Sequence, residues 1–315
     1  MKAIIGTAIL PGVAYSSNQT YPNKAITILV PLAAGGATDI FSRSLAKILS
    51  AELNVPVVVD NKPGANGLIA AQAVSSAKPD GYTLCMVVAG IFRQPHIENL
   101  AYKPLSSLEF VAMTNDYDLM LVARGDSPIN STADIIKLAK SKRGPIFYGV
   151  PLMMGTQHIA MTDFAKQAKI EMEAVPFKGD VNSIAALIGG DIDLAAVAGN
   201  VSSFTSGNRV KIVASLNGER SANQPNVPTL SEAGFKIAAS SAMGVAGPKG
   251  MALEDVQVLE KAISKALASP ELQEVSRKIG VTPKFMSSKD YTAFAASAFE
   301  DGKKVAEFMK AHIKN

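Results

Sequence analysis

The sequence alternates between short apolar runs and amphipathic stretches. Each apolar run is rich in β-branched residues and is bounded by Gly, Pro or Asn, which is typical of strands. The predicted strands are residues 27–30, 57–59, 83–88, 119–123, 146–148, 192–197, 211–214 and 244–246. The predicted helices between them are residues 39–53, 68–77, 133–139, 158–168 and 182–188. This alternation predicts an α/β fold with largely parallel sheets.

The C-terminal part has a different pattern, which predicts helices at 253–267, 270–279 and 290–313 and a short extended segment at 281–284. These helices form a predicted C-terminal helical cap. The strand spacing indicates two central sheets, so we expect a two-domain molecule in which residues 21–116 plus 240–315 form domain 1 and residues 117–239 form domain 2. With these bounds the chain passes between the domains twice, and we expect the two connecting segments to form a hinge. Two-lobed α/β proteins bind ligands in the crevice at the carboxyl ends of their strands.

The first residues have the pattern of a secretory signal. Lys2 precedes an apolar stretch, residues 3–14, that is too short to span a bilayer. We interpret residues 1–20 as a leader that is cleaved on export to the periplasm. A disordered or tag-derived start is the alternative interpretation.

Composition narrows the possible functions. Hydrophobic residues make up 48% of the 315 residues and charged residues 18%, as in a globular protein. The net charge is only +4 and no basic stripe is interleaved with aromatic residues, so no nucleic-acid partner is expected. The single cysteine, Cys85, lies in an apolar run, and the three histidines lack metal-ligand spacing. We therefore expect neither a metal nor a cofactor.

A loop of small residues follows the first predicted strand and opens a helix. It consists of Ala34, Gly35, Gly36, Ala37 and Thr38. Small residues let the backbone approach a ligand, and the free N–H groups of a first helical turn bind anions, so this loop is a candidate carboxylate cradle. The alternative is an ordinary strand-to-helix turn with Thr38 or Asp39 as the N-cap. Asp39 would repel an anion, and we expect it to act as a cap or first-turn acid.

Two further loops precede helices in the other predicted lobe. The first contains Met154, Gly155, Thr156, Gln157 and His158, and the second contains Lys178, Gly179 and Asp180. Helix N-termini from both lobes would then meet one anion when the cleft closes. Arg93 and Lys178 are the nearest cations in sequence, although such a residue is more often simply surface charge.

No arrangement of catalytic residues is evident. The sequence lacks Gly-x-Ser-x-Gly, Gly-x-Gly-x-x-Gly and a P-loop. His158 at a helix start is more simply a packing or capping residue than a general base. Binding without turnover is therefore the simpler interpretation, and an α/β enzyme acting on a small acid is the rival one.

Several motifs together resemble a known family. They are the segments 21–31, 35–39, 61–67, 79–84, 176–179, 187–194, 219–220, 226–234 and 247–248, and they include Pro79-Asp80-Gly81-Tyr82 and Asn226-Val227-Pro228-Thr229. In this order they are similar to the tripartite tricarboxylate transporter solute receptors, the Bug family. The resemblance covers residues 21 to about 285.

The resemblance implies a periplasmic two-lobed receptor of the Venus flytrap, type II-like architecture. It implies capture of a small carboxylate by backbone amides and waters of the loops matching residues 34–38 and 154–158. It also implies a monomer that delivers the ligand to transmembrane permease subunits, or a module that signals through a membrane sensor. The sequence does not separate these two roles.

Departures from the family pattern bear on specificity. Residues 151–154 are apolar here where the family is Ser/Gly-rich, and a small neutral residue is more common than Asp180. The segments containing Gly90 and Arg93, and the segment ending at Asn200, also differ, and these residues complete the expected ligand-binding set. We expect a cavity less suited to tricarboxylates. It would take a monocarboxylate with an apolar or aromatic body, or a ligand with an amine opposite Asp180.

Overall fold

The computed structural model describes residues 21–98, 103–199, 201–205 and 207–312. The predicted leader, residues 1–20, lies outside the described residues. The strands are β1 (Ile26–Val30), β2 (Val57–Asn61), β3 (Thr83–Val87), β4 (Leu108–Tyr117), β5 (Leu119–Arg124), β6 (Ile146–Val150), β7 (Met172–Pro176), β8 (Leu194–Ala198), β9 (Val210–Ser215), β10 (Met243–Pro248) and β11 (Val281–Met286). The helices are α1 (Ala37–Leu53), α2 (Leu68–Ser75), α3 (Gly90–Ile97), α4 (Pro104–Ser107), α5 (Thr132–Ser141), α6 (Thr156–Ala168), α7 (Asp180–Gly189), α8 (Ser202–Thr205), α9 (Leu253–Ala268), α10 (Pro270–Ile279) and α11 (Ser288–His312).

The strands form two sheets, as the sequence predicts. In the described residues, one sheet has the order β11-β4-β10-β3-β1-β2 and the other has the order β7-β6-β8-β5-β9. Strand β10 pairs with β3 and β4, so the segment that follows the second sheet returns to the first as expected. The two-lobed α/β architecture is confirmed.

The prediction of largely parallel sheets is wrong, because both sheets are mixed. Strand β1 runs parallel to β2 and β3, and β6 runs parallel to β7 and β8. Strands β4, β10 and β11 pair antiparallel in the first sheet, as do β5, β8 and β9 in the second. The antiparallel pairs include the strands that carry the chain between the sheets. Local periodicity does not report strand direction.

Apolar positions on the helices explain how each sheet is covered. Helix α1 buries Phe41, Leu45 and Leu49, which recur every four residues and therefore lie on one face. Helices α9 and α10 pack beside α1 on this face of the first sheet, and α11 packs on the opposite face. The predicted C-terminal helices therefore cover the first sheet from both sides. In the described residues, no helix is long and apolar enough to cross a membrane.

Two chain crossings lie side by side between the sheets. Strands β4 and β5 are separated by a single residue. On the returning segment, the Oδ1 atom of Asn217 accepts a hydrogen bond from Leu119 N at 2.8 Å, and its Nδ2 donates to Tyr117 O at 3.0 Å. The carboxylate of Asp116 accepts a hydrogen bond from Ser241 N at 2.8 Å. The outgoing and returning chains are thus hydrogen-bonded to each other where the lobes join.

Five of the described helices and strands were not predicted from the sequence: the helices α3, α4 and α8 and the strands β4 and β7. Helix α3 begins at Gly90 and contains Pro95, two residues that normally argue against a helix. Strand β4 changes from apolar to polar residues along its length, and β7 is a short strand at the edge of its sheet that ends in Pro176. Packing in the folded protein overrides these weak local signals.

Candidate ligand-binding cleft

A cavity of about 860 Å³ lies between the lobes, within the size range of small-molecule sites. It is bounded by the N-terminal turns of α1 and α3 from the first lobe and of α6 and α7 from the second. Most of its lining residues are apolar or glycine. Among the described residues, the charged side chains that line it are Arg93, Asp180 and Lys278. Lys278 forms an ion pair with Glu274 at 3.3 Å.

Three of these helices begin with a glycine N-cap. The N-caps of α1, α6 and α7 are Gly36, Gly155 and Gly179, and none provides a side-chain cap. By contrast, α5 and α10 lie away from the cavity and are capped by the hydroxyls of Ser131 and Ser269. A helix without a side-chain cap leaves its first amides to water or to a ligand. The cavity therefore presents uncapped helix ends from both lobes.

Hydrogen bonds outside the cavity hold the first turn of α1 in place. The carboxylate of Asp39 is buried and accepts hydrogen bonds from Gly35 N at 2.9 Å, from Arg43 Nε at 3.0 Å and from Asn61 Nδ2 at 2.9 Å. Asp39 is therefore a first-turn acid, as expected, and it does not line the cavity, although the alternative N-cap at Thr38 or Asp39 is in fact Gly36. The amides of Ala37 and Thr38 have no acceptor in the described part of the chain.

Replacing Asp39 by Asn is expected to destabilise the protein by about 1–2 kcal/mol at pH 7, because charge-assisted hydrogen bonds are replaced by weaker ones. Burial raises the pKa of Asp39, but the bonds from Arg43, Gly35 and Asn61 outweigh it and the net pKa is lowered. The carboxylate thus stabilises the fold above its unfolded pKa, and this stability is lost as the pH falls. Urea unfolding at pH 7 and pH 3 measures the difference, which should shrink at pH 3. An Asp126→Asn variant, at an exposed ion pair, is the control and should change stability little.

The start of α6 is held by a histidine that does not line the cavity. Met154 has a φ of 62°, and its N–H donates to His158 Nδ1 at 2.9 Å. His158 is 3% exposed, and burial lowers its pKa. It therefore caps and packs the loop, in agreement with the simpler of the two sequence interpretations. The amides of Thr156 and Gln157 have no acceptor within the described residues.

The start of α7 presents a carboxyl group to the cavity. Gly179 has a φ of 92°, a conformation that glycine adopts without strain, and Asp180 follows as the first helical residue. The Oδ1 atom of Asp180 is buried and has no hydrogen-bond partner in the described structure. Burial raises the pKa of Asp180 to about 7, although a hydrogen bond from the Ala198 backbone lowers it in part.

A direct hydrogen bond joins the lobes across the cavity. Arg93 Nη2, on α3, donates to Thr156 Oγ1, on α6, at 3.0 Å. Burial lowers the pKa of Arg93 to about 10, and the guanidinium forms no ion pair within 4.0 Å in the described residues. Arg93 and Thr156 also line a second cavity of about 400 Å³ between α3, α6 and α11. This bond therefore separates two interlobe spaces.

Sequence reasoning missed the floor of the cleft near the hinge. The hydroxyls of Thr38 and Tyr117 are 2.6 Å apart, and Thr38 Oγ1 also lies 3.7 Å from Met243 Sδ. On the wall beside them, Asn66 Nδ2 donates to Gln94 Oε1 at 2.9 Å. Thr38 was predicted from its loop, and Asn66 lies in the segment 61–67, which carries part of the family resemblance. No sequence signal placed Tyr117 or Met243 in the cleft.

Most of the predicted binding residues line the cavity. They are Gly35, Gly36, Ala37, Thr38, Gly90, Arg93, Met154, Gly155, Thr156, Gln157, Gly179 and Asp180. Ala34, His158 and Lys178 do not line it: Ala34 and Lys178 are exposed and His158 is buried behind its loop. Asn200 lies outside the described residues. In the part of the chain that is described, no group of His, Cys, Asp and Glu side chains is arranged to hold a metal ion.

Comparison with known proteins places the chain in a family. The family model described as "Tripartite tricarboxylate transporter family receptor" matches residues 41–310. A Cupriavidus necator protein, the "UPF0065 protein in gbd 5'region", is 34% identical over 305 residues, which cover 97% of this chain and 93% of the relative.

Two solved structures have a similar fold. The periplasmic binding protein BugD has a TM-score of 0.76 and 28% identity, with 93% of this chain and 98% of BugD covered. An R. palustris protein solved with adipate has a TM-score of 0.80 and 27% identity, with 91% of this chain and 97% of that protein covered. The chain therefore belongs to the tripartite tricarboxylate transporter receptor family, TctC, whose members are solute-binding proteins.

Proposed function

We propose that the protein is a periplasmic receptor that captures a small organic carboxylate in the interlobe cleft and delivers it to the membrane subunits of a tripartite tricarboxylate-type transporter. In this proposal, residues 21–116 plus 240–315 form one domain, residues 117–239 form the other, and residues 1–20 are removed on export. The receptor acts as a monomer and binds its ligand without converting it.

One observation carries the proposal. Helices α1 and α6 come from different lobes, and both open into one cavity with a glycine N-cap and unbonded first-turn amides. A helix N-terminus carries partial positive charge, so two of them favour an anion at the same place. A ligand held by both lobes stabilises the closed arrangement, which links capture to a change of shape.

Two further observations support it. Arg93 supplies a full positive charge beside Thr156 and lacks an ion partner among the described residues. The structural neighbour solved with adipate is a carboxylate complex within the same fold. The apolar remainder of the cavity suits the hydrocarbon body of such an acid.

Isothermal titration calorimetry against a panel of mono-, di- and tricarboxylates is the test of capture. We expect at least one acid to bind with a Kd in the micromolar range, equivalent to about 8 kcal/mol, and to be recovered unchanged by mass spectrometry. Uptake of that acid by cells with and without the receptor gene tests delivery. A panel that releases no heat, or an acid that is chemically converted, would refute the proposal.

A further inference from the structure

Two charged groups that line the cleft, one on each lobe, lack an oppositely charged partner in the described residues. Within the described residues, its lining carries one carboxyl group, Asp180, and one cation without an ion partner, Arg93. They lie on different lobes, on α7 and α3. Neither forms an ion pair within 4.0 Å in the described structure, with each other or with another residue. A ligand with one negative and one positive end would complete both.

Asp180 is the more unusual of the two groups. Its Oδ1 atom is buried without a partner, whereas the carboxylate of Asp39, on the neighbouring helix end, accepts three hydrogen bonds. A buried carboxyl oxygen without a donor is costly, since it has lost water and gained nothing in exchange. Asp180 accepts a hydrogen bond from the Ala198 backbone, but no donor among the described residues reaches its Oδ1 atom. A donor group on the ligand would satisfy that atom.

An ammonium group meets this requirement better than a hydroxyl. It brings both a hydrogen-bond donor and a positive charge, and a buried carboxylate needs both to remain ionised. The plain carboxylate end of a ligand would instead be repelled by an ionised Asp180. The mostly apolar lining leaves room for a hydrocarbon body between the two ends.

We propose that the ligand is a small amino-carboxylate zwitterion with an apolar body, whose ammonium group donates to Asp180 while Arg93 and the uncapped helix ends hold its carboxylate. This inference rests on the proposed function, which supplies the carboxylate, and adds the amine. Asp180 is then the residue that separates amino acids from plain acids.

Among the charged and titratable groups around it, Asp180 is the one that changes charge near neutral pH. Across the cavity lie Arg93, Tyr117 and Lys278, and Lys278 is paired with Glu274. Burial raises the pKa of Tyr117 to about 12. The hydrogen bond with Thr38 lowers this pKa, and the charge of Asp180 raises it further.

The strands behind α7 add no charge at this end of the helix. Strand β8 is apolar throughout, and burial raises the pKa of Tyr148 on β6 to about 12. Arg124 of β5 lies beside Gly190, at the opposite end of α7, and Lys178 is exposed outside the cavity. Ionisation of Asp180, and with it the affinity for an ammonium ligand, should therefore rise with pH across neutrality.

Matched ligand pairs test the proposal by calorimetry on the full chain. The pairs are phenylalanine and 3-phenylpropanoate, leucine and 4-methylpentanoate, and 6-aminohexanoate and hexanoate, which differ only in the amine. For at least one pair, we expect the wild type to bind the amino compound about tenfold or more tightly. Asp180→Asn should reduce this preference to about twofold or less, and Asp191→Asn, at the exposed far end of α7, should retain it. The affinity of the wild type for the amino compound should fall between pH 8 and pH 5.5, and that of Asp180→Asn should change little.

The outcomes separate this inference from the proposed function. Binding of plain acids without an amine preference, or a preference that survives in Asp180→Asn, overturns the inference and leaves carboxylate capture intact. If no acid of either kind binds, the proposed function fails and this inference fails with it.

Discussion

An Ala37→Asp variant is expected to bind the acid preferred by the wild type about 100-fold more weakly, a loss of about 2.7 kcal/mol. Ala37 is the first residue of α1 and lines the cavity, and its amide lies at the uncapped helix end. A carboxylate placed there would compete with the ligand for the helix amides and repel its negative charge. Calorimetry with the tightest-binding acid of the panel, or with adipate, measures the loss.

The fold should survive this change, because an acidic residue in the first turn of a helix is favourable. An unchanged Tm would show this directly. Ala133→Asp is the matched control, since Ala133 lies in the first turn of α5, is exposed and does not line the cavity. It should bind as the wild type does. If Ala37→Asp binds equally well, the α1 end does not hold the carboxylate.

Replacing Asp180 by Asn should stabilise the unliganded protein at pH 8 and make little difference at pH 4. The pKa of Asp180 is raised by burial from 3.8 to about 7, so ionisation is disfavoured in the folded state. The wild type therefore loses stability as the pH rises from the unfolded pKa to the folded one. Each pH unit in this window costs about 1.4 kcal/mol, so the upper limit is about 4 kcal/mol, and solvent screening reduces the expected difference to about 1–3 kcal/mol.

Urea unfolding of both proteins at pH 4, 6 and 8 measures this difference. Asp191→Asn removes the same charge from an exposed position at the other end of α7 and should show no such trend. A stability difference that is the same at all three pH values would contradict the prediction. We therefore expect Asp180→Asn to be more stable than the wild type and to discriminate less well between ligands. This trade-off is common when a binding residue is replaced.

The helix starts of the cleft could be predicted from the sequence, because they are local features. Gly35, Gly155 and Gly179 each stand between an apolar run and an amphipathic one, and all three line the cavity. Helix α3 could not be predicted, because Gly90 and Pro95 oppose helix formation in isolation. No helix was therefore predicted for the segment that contains Arg93, although Arg93 projects from α3.

Residues brought together by the hinge could not be predicted either. Tyr117 meets Thr38 only because β4 ends beside the start of α1, and no local pattern encodes that approach. The identity of Asp180 was visible in the sequence, but the lack of a partner for its Oδ1 atom depends on everything packed around it. Sequence patterns thus located the loops, and tertiary packing determined which of their atoms lack partners.

The Arg93–Thr156 bond has a consequence for the relative position of the two lobes. It joins α3 of the first lobe directly to α6 of the second. A hydrogen bond with a charged donor contributes about 1.5–3 kcal/mol, which favours the arrangement with the two lobes in contact by roughly 10- to 150-fold. Without this bond, the arrangement in which α3 meets α6 would lose that part of its stability.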